Sequence, residues 1–187
     1  MAELLEMEAL SRIIQPISPA EYHAVCEMSR EAYAKTELLE GIIIKKMTKS
    51  PLHSRIFSRL CRFLYTALDA SYWIRPELPL SLEDSEPEPD ISLLRGSEED
   101  YPDRHPDYAD LVIEIAVTSL EVDRIKARAY ARAGIPEYWI VIPERKIIEA
   151  YSEPQGDAYR RERILESGMD LESPLGFVLR LEDLFRA

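Results

Sequence analysis

One apolar segment near the middle of the chain, residues 111–117 with the sequence LVIEIAV, constrains the fold more than any other feature. A nearly continuous apolar run of this length is typical of a strand that is buried on both faces of an α/β sheet. Its one interruption is Glu114, which shares a strand face with Val112 and Ala116. An ionised carboxylate buried there is unstable unless it is paired or binds a metal. The segment therefore predicts a cationic partner beside Glu114.

Alternating helix and strand patterns surround this segment. Capping-box patterns at residues 18–21 and 118–121 predict helices over 19–35 and 119–133, and Ser50-Pro51 opens a third, amphipathic helix. Strands are predicted at 42–47 after a turn at Gly41, 89–94, 111–117, 138–142 and 147–151, with an extended segment over 73–82. Beyond residue 151 we expect two short strands and a helical turn around 181–185.

This order of elements predicts the fold class. Strands that alternate with helices favour an α/β domain, in which a mixed central β-sheet is flanked by α-helices. The chain of 187 residues has the length of one domain. We expect a single domain over residues 1–187, with a core at about 37–151 and a β-rich C-terminal extension. The aromatic residues Tyr130, Tyr138 and Trp139 are predicted to lie in the core.

The charge distribution bears on the partner. A net charge of −12 disfavours nucleic acid, because phosphate neutralisation drives most non-specific binding. The charge is uneven: residues 42–62 contain six Lys or Arg and no acid, whereas residues 83–110 contain eleven acids and two arginines. One basic face is therefore compatible with the acidic total. Arg55, Arg59 and Arg62 are candidate phosphate contacts, with a merely solvated helix flank as the alternative.

Localisation is predicted from what the N-terminus and the cysteines suggest. The first ten residues carry acids where a secretory signal carries basic residues, and we expect no export signal. Cys26 and Cys61 are too few for a disulfide framework. No apolar run approaches the roughly 20 residues of a membrane span. A cytoplasmic protein that does not contact a membrane is expected.

A second carboxylate completes a candidate metal site. Asp90 follows Pro89 at the start of a predicted strand and could lie beside Glu114. Two carboxylates together with waters suit Mg²⁺ or Mn²⁺, which prefer oxygen ligands. Such an ion can activate water at a phosphodiester, and a nearby lysine can stabilise the developing charge. The alternatives are that Asp90 caps a turn and that Glu114 bonds to Tyr130, Lys126 or a backbone amide.

The combined motifs resemble a known family. Pro-Asp at 89–90, LVIEIAVTS from 111, DRIKARAYARAGIPEYWIV from 123, and LLEGIII with SPLHSRI upstream resemble the PD-(D/E)XK restriction-endonuclease-like superfamily. Within it, they resemble a bacterial family of restriction-endonuclease-like proteins of unknown substrate. The similarity extends from about residue 37 to 141. The resemblance implies a restriction-endonuclease-like core, with Asp90 and Glu114 as metal ligands.

The resemblance also departs from the superfamily pattern at the lysine. The position two residues after the glutamate is Ala116, and Lys126 on the following helix is the candidate replacement. About two turns into the helix, Lys126 would have to reach back toward the strand end. The alternative is a solvated lysine that pairs with Asp123 at i,i+3 spacing.

Two accessory residues are also candidates. Glu40 resembles the acidic residue that many superfamily members supply from their N-terminal part, and the equal alternative is a turn residue beside Gly41. His53 is a candidate ligand or proton-transfer group, although a lone histidine is more often structural.

The function predicted from these features is Mg²⁺- or Mn²⁺-dependent hydrolysis of DNA phosphodiester bonds, with Asp90, Glu114 and Lys126 as catalytic residues. A catalytically inactive binding module on the same fold is the rival, favoured by the displaced lysine and the acidic charge. Hydrolysis of another phosphate-containing substrate is a third possibility. A homodimer is expected because nucleases that cut both strands commonly pair two sites.

Overall fold

The computed structural model describes residues 14–186. Its helices are α1 (Pro19–Met28), α2 (Arg30–Tyr33), α3 (Pro51–Ala67), α4 (Leu120–Arg132) and α5 (Leu181–Phe185). Its strands are β1 (Thr36–Leu39), β2 (Ile42–Lys45), β3 (Tyr72–Pro76), β4 (Ile91–Arg95), β5 (Leu111–Ile115), β6 (Glu137–Ile142), β7 (Ile147–Gln155), β8 (Ala158–Glu166), β9 (Asp170–Glu172) and β10 (Val178–Arg180). No helix within this part of the chain is both long and apolar enough to span a membrane.

A six-stranded sheet in the order β3-β4-β5-β6-β7-β8 organises the fold. Strands β5 and β6 are parallel and are connected by α4, and the other neighbouring pairs are antiparallel. The predicted apolar strand is β5, and it occupies an interior position of the sheet. The prediction of a mixed sheet flanked by helices is therefore confirmed.

The two faces of the sheet carry separate apolar cores. On one face α3 packs Ile56, Leu60 and Leu64 against the sheet, together with residues of the C-terminal segment. The other face is covered by α4, including Ala129 and Tyr130, and by residues of the β1-β2 hairpin. Because side chains alternate along a strand, Val112 and Ala116 of the β5 segment lie in the second core. Glu114 between them points to this same face, beneath α4.

The N-terminal part begins with the predicted capping box. The Glu21 carboxylate accepts from Ser18 N–H at 2.8 Å, and the Ser18 hydroxyl accepts from Glu21 N–H at 3.3 Å. Helix α1 ends at Met28, earlier than predicted, because the backbone at Ser29 leaves helical geometry before the short helix α2 begins. The second predicted capping box is wrong. Ser119 is the N-cap of α4, and its hydroxyl donates to the Asp123 carboxylate instead of capping the helix.

The predicted strand over 42–47 is the second arm of a hairpin whose first arm, β1, the sequence did not indicate. Its two-residue turn consists of Glu40 and Gly41, with φ of 48° and 73°. Two consecutive positive φ values match the tight turns that suit the twist of β-hairpins. Backbone bonds between Leu38 and Glu86 attach the hairpin to the segment before β4.

The C-terminal extension differs in detail from the prediction of two short strands. Strand β8 is nine residues long and forms an edge of the central sheet, and β9 and β10 make a separate two-stranded sheet. The helical turn at Leu181–Phe185 is confirmed. Tyr130, Tyr138 and Trp139 are fully buried, as predicted.

Candidate active site

Asp90 and Glu114 lie side by side at one end of the sheet. Strands β4 and β5 pair Ile91 with Ile113, so Asp90, one residue before β4, comes next to Glu114. Asp90 N–H donates to Glu114 Oε2 at 3.3 Å, and Ile115 N–H donates to Asp90 Oδ2 at 2.8 Å. Both carboxylates are buried, with 8% and 5% of their residue surface exposed. The structure thus brings the two predicted ligands together.

Helix α4 carries Lys126 to the same point. Asp123, Lys126 and Tyr130 recur at helical spacing on the side of α4 that faces the sheet, and all three are buried. Lys126 Nζ lies 2.9 Å from Glu114 Oε1, and the Tyr130 hydroxyl donates to the same oxygen at 3.2 Å. The long Lys126 side chain therefore reaches Glu114 from the helix. Ala116, two residues after Glu114, is buried in the second core and has no ammonium group to place there.

Two further carboxylates complete the surroundings of Lys126: Glu37, which the sequence did not single out, and Asp123, which it offered as an i,i+3 partner. Glu37 Oε1, from β1, lies 2.9 Å from the ammonium, and Asp123 Oδ1 lies 4.0 Å from it. The other Glu37 oxygen accepts from Glu88 N–H at 3.1 Å. One buried ammonium is therefore shared among three carboxylates, including that of Glu114.

Asp90 has its own basic neighbours. His53, at the first turn of α3, is buried and places Nε2 3.0 Å from the Asp90 carboxylate. Lys49, in the segment between β2 and α3, lies 3.5 Å from Asp90 Oδ1 and 2.6 Å from Glu77 Oε1. His53 thus reaches the site through Asp90, as a partner of the predicted ligand.

The buried charged groups shift one another's pKa values. Burial raises the pKa of Glu114 well above its ordinary value; Lys126 opposes the shift, and the nearby carboxylates add to it. Burial likewise raises the pKa of Asp123 to about 6, although Lys126 and the Ser119 hydrogen bond oppose the rise. Perturbed carboxyl groups in a cleft are a frequent property of functional sites.

The pKa values of Asp90 and Lys126 shift in the opposite direction to the shift that burial alone would cause. Burial acts to raise the pKa of Asp90, but the His53 contact, the Ile115 amide and Lys49 outweigh it, so the pKa is lowered. Burial acts to lower the pKa of Lys126, but Glu114, Glu37 and Asp123 outweigh it, so the pKa is raised. At neutral pH Asp90 is a carboxylate and Lys126 an ammonium.

The donor set fits a hard divalent cation. Glu37, Asp90, Glu114 and Asp123 all line a cleft of about 110 Å³, whose lining among the described residues has five acids, including Glu88, and four lysines. Within residues 14–186 no three His, Cys, Asp or Glu side chains are already arranged as metal ligands. A pair of carboxylates still suits Mg²⁺, which usually keeps several waters and takes only one or two protein carboxylates.

One predicted accessory residue lies elsewhere. The Glu40 carboxylate accepts from Arg132 at 3.0 Å and lies 3.7 Å from Arg128, on the outer side of the hairpin turn. It does not line the cleft, and its position in the hairpin turn favours the alternative of a turn residue beside Gly41. The acid that the N-terminal hairpin brings to the site is Glu37.

The arginines of α3 also lie outside the cleft. Arg59 donates to the backbone carbonyls of Leu184 and Arg186, at 2.9 and 2.6 Å, and thereby holds the C-terminal segment. Arg55 and Arg62 are exposed. Besides His53 and Lys126, the basic side chains that line the cleft come from the end of β2 and the segment after it: Lys45, Lys46 and Lys49.

Comparison with known protein families identifies a matching family model. A family model, Uma2, described as "Putative restriction endonuclease", matches residues 19–184. The chain belongs to this family. The match includes every residue of the cleft, and it confirms the family resemblance seen in the sequence. No curated protein matches the chain.

A solved structure shares the fold. The crystal structure of a "putative nuclease belonging to DUF820" from Anabaena variabilis superposes with a TM-score of 0.68 at 21% sequence identity. The likeness covers 80% of this chain and 89% of that one. It supports a nuclease-like fold for this member of the family, and a shared fold does not by itself fix the function.

Proposed function

We propose that this protein is a metal-dependent nuclease that hydrolyses DNA phosphodiester bonds. The observation that carries the proposal is the buried pair of Asp90 and Glu114 on neighbouring strands, with the Lys126 ammonium 2.9 Å from Glu114. Two acids and a lysine at one strand end are the residue types that metal-assisted phosphodiester hydrolysis needs. Membership of a family described as restriction endonucleases supports the same reaction class.

Asp90 and Glu114 would hold Mg²⁺ or Mn²⁺. When bound, such an ion supplies activation of water and neutralisation of charge on the phosphate. His53 and the Ile115 amide fix the orientation of the Asp90 carboxylate, and Tyr130 fixes that of Glu114. The two ligands are thus held in place by partners outside the pair, as ligands in preorganised sites are.

Lys126 is the proposed charge-stabilising residue. Its ammonium pairs with Glu37 and Glu114, donates a hydrogen bond to Glu114 and lines the cleft. It can orient an attacking water and stabilise negative charge that develops on the phosphate. Because the neighbouring carboxylates raise its pKa, it acts as a cation and not as a proton acceptor.

The rim of the cleft fits a phosphate backbone. Lys45, Lys46 and Lys49 line it, although Lys46 pairs with Glu88 and Lys49 with Glu77. This local basic rim offers phosphate contacts to a chain with a net charge of −12. DNA binding through these lysines should therefore weaken steeply as salt is raised.

Cleavage assays test the proposal. Supercoiled plasmid, linear duplex and single-stranded DNA are incubated with wild type, Asp90→Asn, Lys126→Met and the exposed control Glu162→Gln, in Mg²⁺, Mn²⁺ or EDTA. Wild type and the control should cut only with metal, and Asp90→Asn should lose at least about a hundredfold in rate. Circular dichroism confirms that each variant is folded.

If wild type cuts none of these DNAs with either metal, the proposal is contradicted. The rival function, an inactive binding module, is favoured by one observation: the Lys126 ammonium already neutralises the Glu114 carboxylate. That module would bind DNA or another partner equally well with and without Asp90. We also propose that the chain forms a homodimer. Sedimentation with and without DNA would detect that dimer.

A further inference from the structure

Arg75, on β3, is a buried cation without an acidic partner. Only 1% of its surface is exposed, and within residues 14–186 no carboxylate pairs with its guanidinium. It donates to the Ser92 hydroxyl at 3.2 Å and to the Pro79 carbonyl at 2.8 Å. Its Nε is buried and has no hydrogen-bond partner among the described residues. One of the three guanidinium nitrogens therefore lacks a partner in this part of the chain, and each of the other two makes one hydrogen bond.

Such an arrangement is unusual for a purely structural arginine. Buried charges in proteins are generally paired or bind a counter-ion, because an unpaired one is costly. Burial lowers the pKa of Arg75 to about 10, so the side chain is still charged at neutral pH. The buried Arg75 charge accordingly has no acidic partner among the described residues.

Arg75 lines a broad cavity that is separate from the carboxylate cleft. The cavity has a volume of about 530 Å³, and its other walls include Trp73, Tyr101, Arg104 and His105. Asp103 is the acid among its lining residues, and it is exposed. The cavity therefore presents more positive than negative charge.

Along one wall, two neighbouring aromatic rings lie between two arginines. The Arg75 guanidinium lies 4.8 Å from the Trp73 ring centroid, and Trp73 and Tyr101 have centroids 6.1 Å apart. Arg104 lies 5.6 Å from the centroid of Tyr101. Stacking on a ring leaves the unpartnered Arg75 Nε–H, and the exposed Arg104 guanidinium that lies 3.6 Å from Asp107, in the orientation for in-plane hydrogen bonds, the geometry in which arginine binds oxyanions.

We propose that this cavity binds a phosphate group, with Arg75 and Arg104 as its ligands. The group could belong to inorganic phosphate, to a nucleotide or to a nucleic-acid strand, and all three present the same oxygens to the two arginines. The proposal does not depend on the nuclease function, since neither arginine contacts the carboxylate cleft.

NMR titration tests the proposal directly. The chain has two tryptophans: Trp73 lies in the cavity wall, and Trp139 is buried in the core. Inorganic phosphate, adenosine monophosphate and a short single-stranded oligonucleotide are added separately in EDTA, with sodium chloride as an ionic-strength control. The signals followed are the Trp73 and Trp139 indole N–H and the Arg75 Nε–H. Saturable shifts of Trp73 and Arg75, with Trp139 unchanged, are expected.

Three variants make the assignment specific. Arg75→Lys removes the planar donor fork and should weaken phosphate binding by at least about tenfold. Arg104→Ala changes an exposed side chain and should weaken it about two- to fivefold without affecting folding. Arg95→Ala is the matched control, because Arg95 also lies over a ring, that of Tyr72, but outside the cavity. Its affinity should equal that of wild type.

The outcomes separate the possible sources. Saturation by inorganic phosphate alone supports an anion site. Binding only of the nucleotide or the oligonucleotide supports the site and identifies the source of its phosphate. Absence of saturable shifts with all three ligands up to about 20 mM would overturn the proposal. Equal affinity of wild type and Arg104→Ala would also overturn it, even if Arg75→Lys does not fold.

Discussion

Replacing Lys126 with methionine should destabilise the protein strongly and in a pH-dependent way. Methionine keeps the length of the side chain but removes the ammonium that lies 2.9 Å from both Glu114 and Glu37 and 4.0 Å from Asp123. Removing one partner from a buried ionic cluster costs about 3–5 kcal/mol, because the opposite charges remain buried. A domain of this size is stable by about 5–15 kcal/mol, so the variant should still fold.

The pH dependence follows from the carboxyl groups left behind. Burial holds the pKa of Glu114 well above 4.5 and that of Asp123 at about 6 even with Lys126 present, and both should rise further without it. A group with a raised folded-state pKa stabilises the protein below its unfolded pKa and loses that contribution as pH rises through the folded value. The deficit of Lys126→Met should therefore be small near pH 4 and largest at pH 8.

Urea denaturation in EDTA, followed by circular dichroism, measures this deficit. At pH 8 the midpoint should fall by about 2 M, from a loss of about 4 kcal/mol and a slope of about 2 kcal/mol per M. Lys35→Met, at an exposed lysine, is the control and should stay within about 0.5 kcal/mol of wild type. The double variant Lys126→Met/Glu114→Gln should recover part of the loss. A deficit below about 0.5 kcal/mol at pH 8, or one independent of pH, would refute the reasoning.

Further predictions concern stability away from the cleft. Burial acts to raise the pKa of Glu149, but hydrogen bonds from Arg124 and Tyr151 outweigh it and lower the pKa below 4.5. Glu149→Gln should cost about 1–2 kcal/mol at pH 7, and urea titrations should show the gap closing as pH falls below 4.5 through the folded pKa. Gly41→Ala should cost more than Gly134→Ala in the same assay. Both glycines have φ near +72°, but an added Cβ at Gly41 collides with Pro16, whereas Gly134 is open. Equal losses would contradict that explanation.

The centre of the site was predictable because it rests on local patterns. A carboxylate in a buried strand has to find a cation, and strand alternation fixed the face on which Glu114 lies. Lys126 was the nearest lysine on the following helix, and its stem reaches Glu114 as the resemblance implied. The three alternatives for Glu114 also proved true contacts: Tyr130, Lys126 and the Asp90 amide all bond to it.

The rest depended on turns and on tertiary contacts that sequence patterns do not encode. Glu37 and Glu40 lie in one short acidic stretch, and only the hairpin geometry with its positive φ at Glu40 decides which acid faces the cleft. Lys49 lies in an irregular segment, where side-chain direction has no period. The length of strand β8 and its place in the central sheet were not predicted, because its burial pattern has almost no apolar face: charged residues dominate it, as suits the exposed edge of a sheet.

Calorimetric titration of Mn²⁺ tests the central claim that Asp90 and Glu114 form a metal site. Wild type, Asp90→Asn and the exposed control Glu162→Gln are compared at pH 7.5 after removal of metal by EDTA and dialysis. We predict saturable binding to wild type and to the control, and at least a tenfold loss of affinity in folded Asp90→Asn. Equal affinity in all three proteins, or no binding by wild type, would contradict the account and leave Asp90 as a partner of His53 and Lys49, and Glu114 as a partner of Lys126.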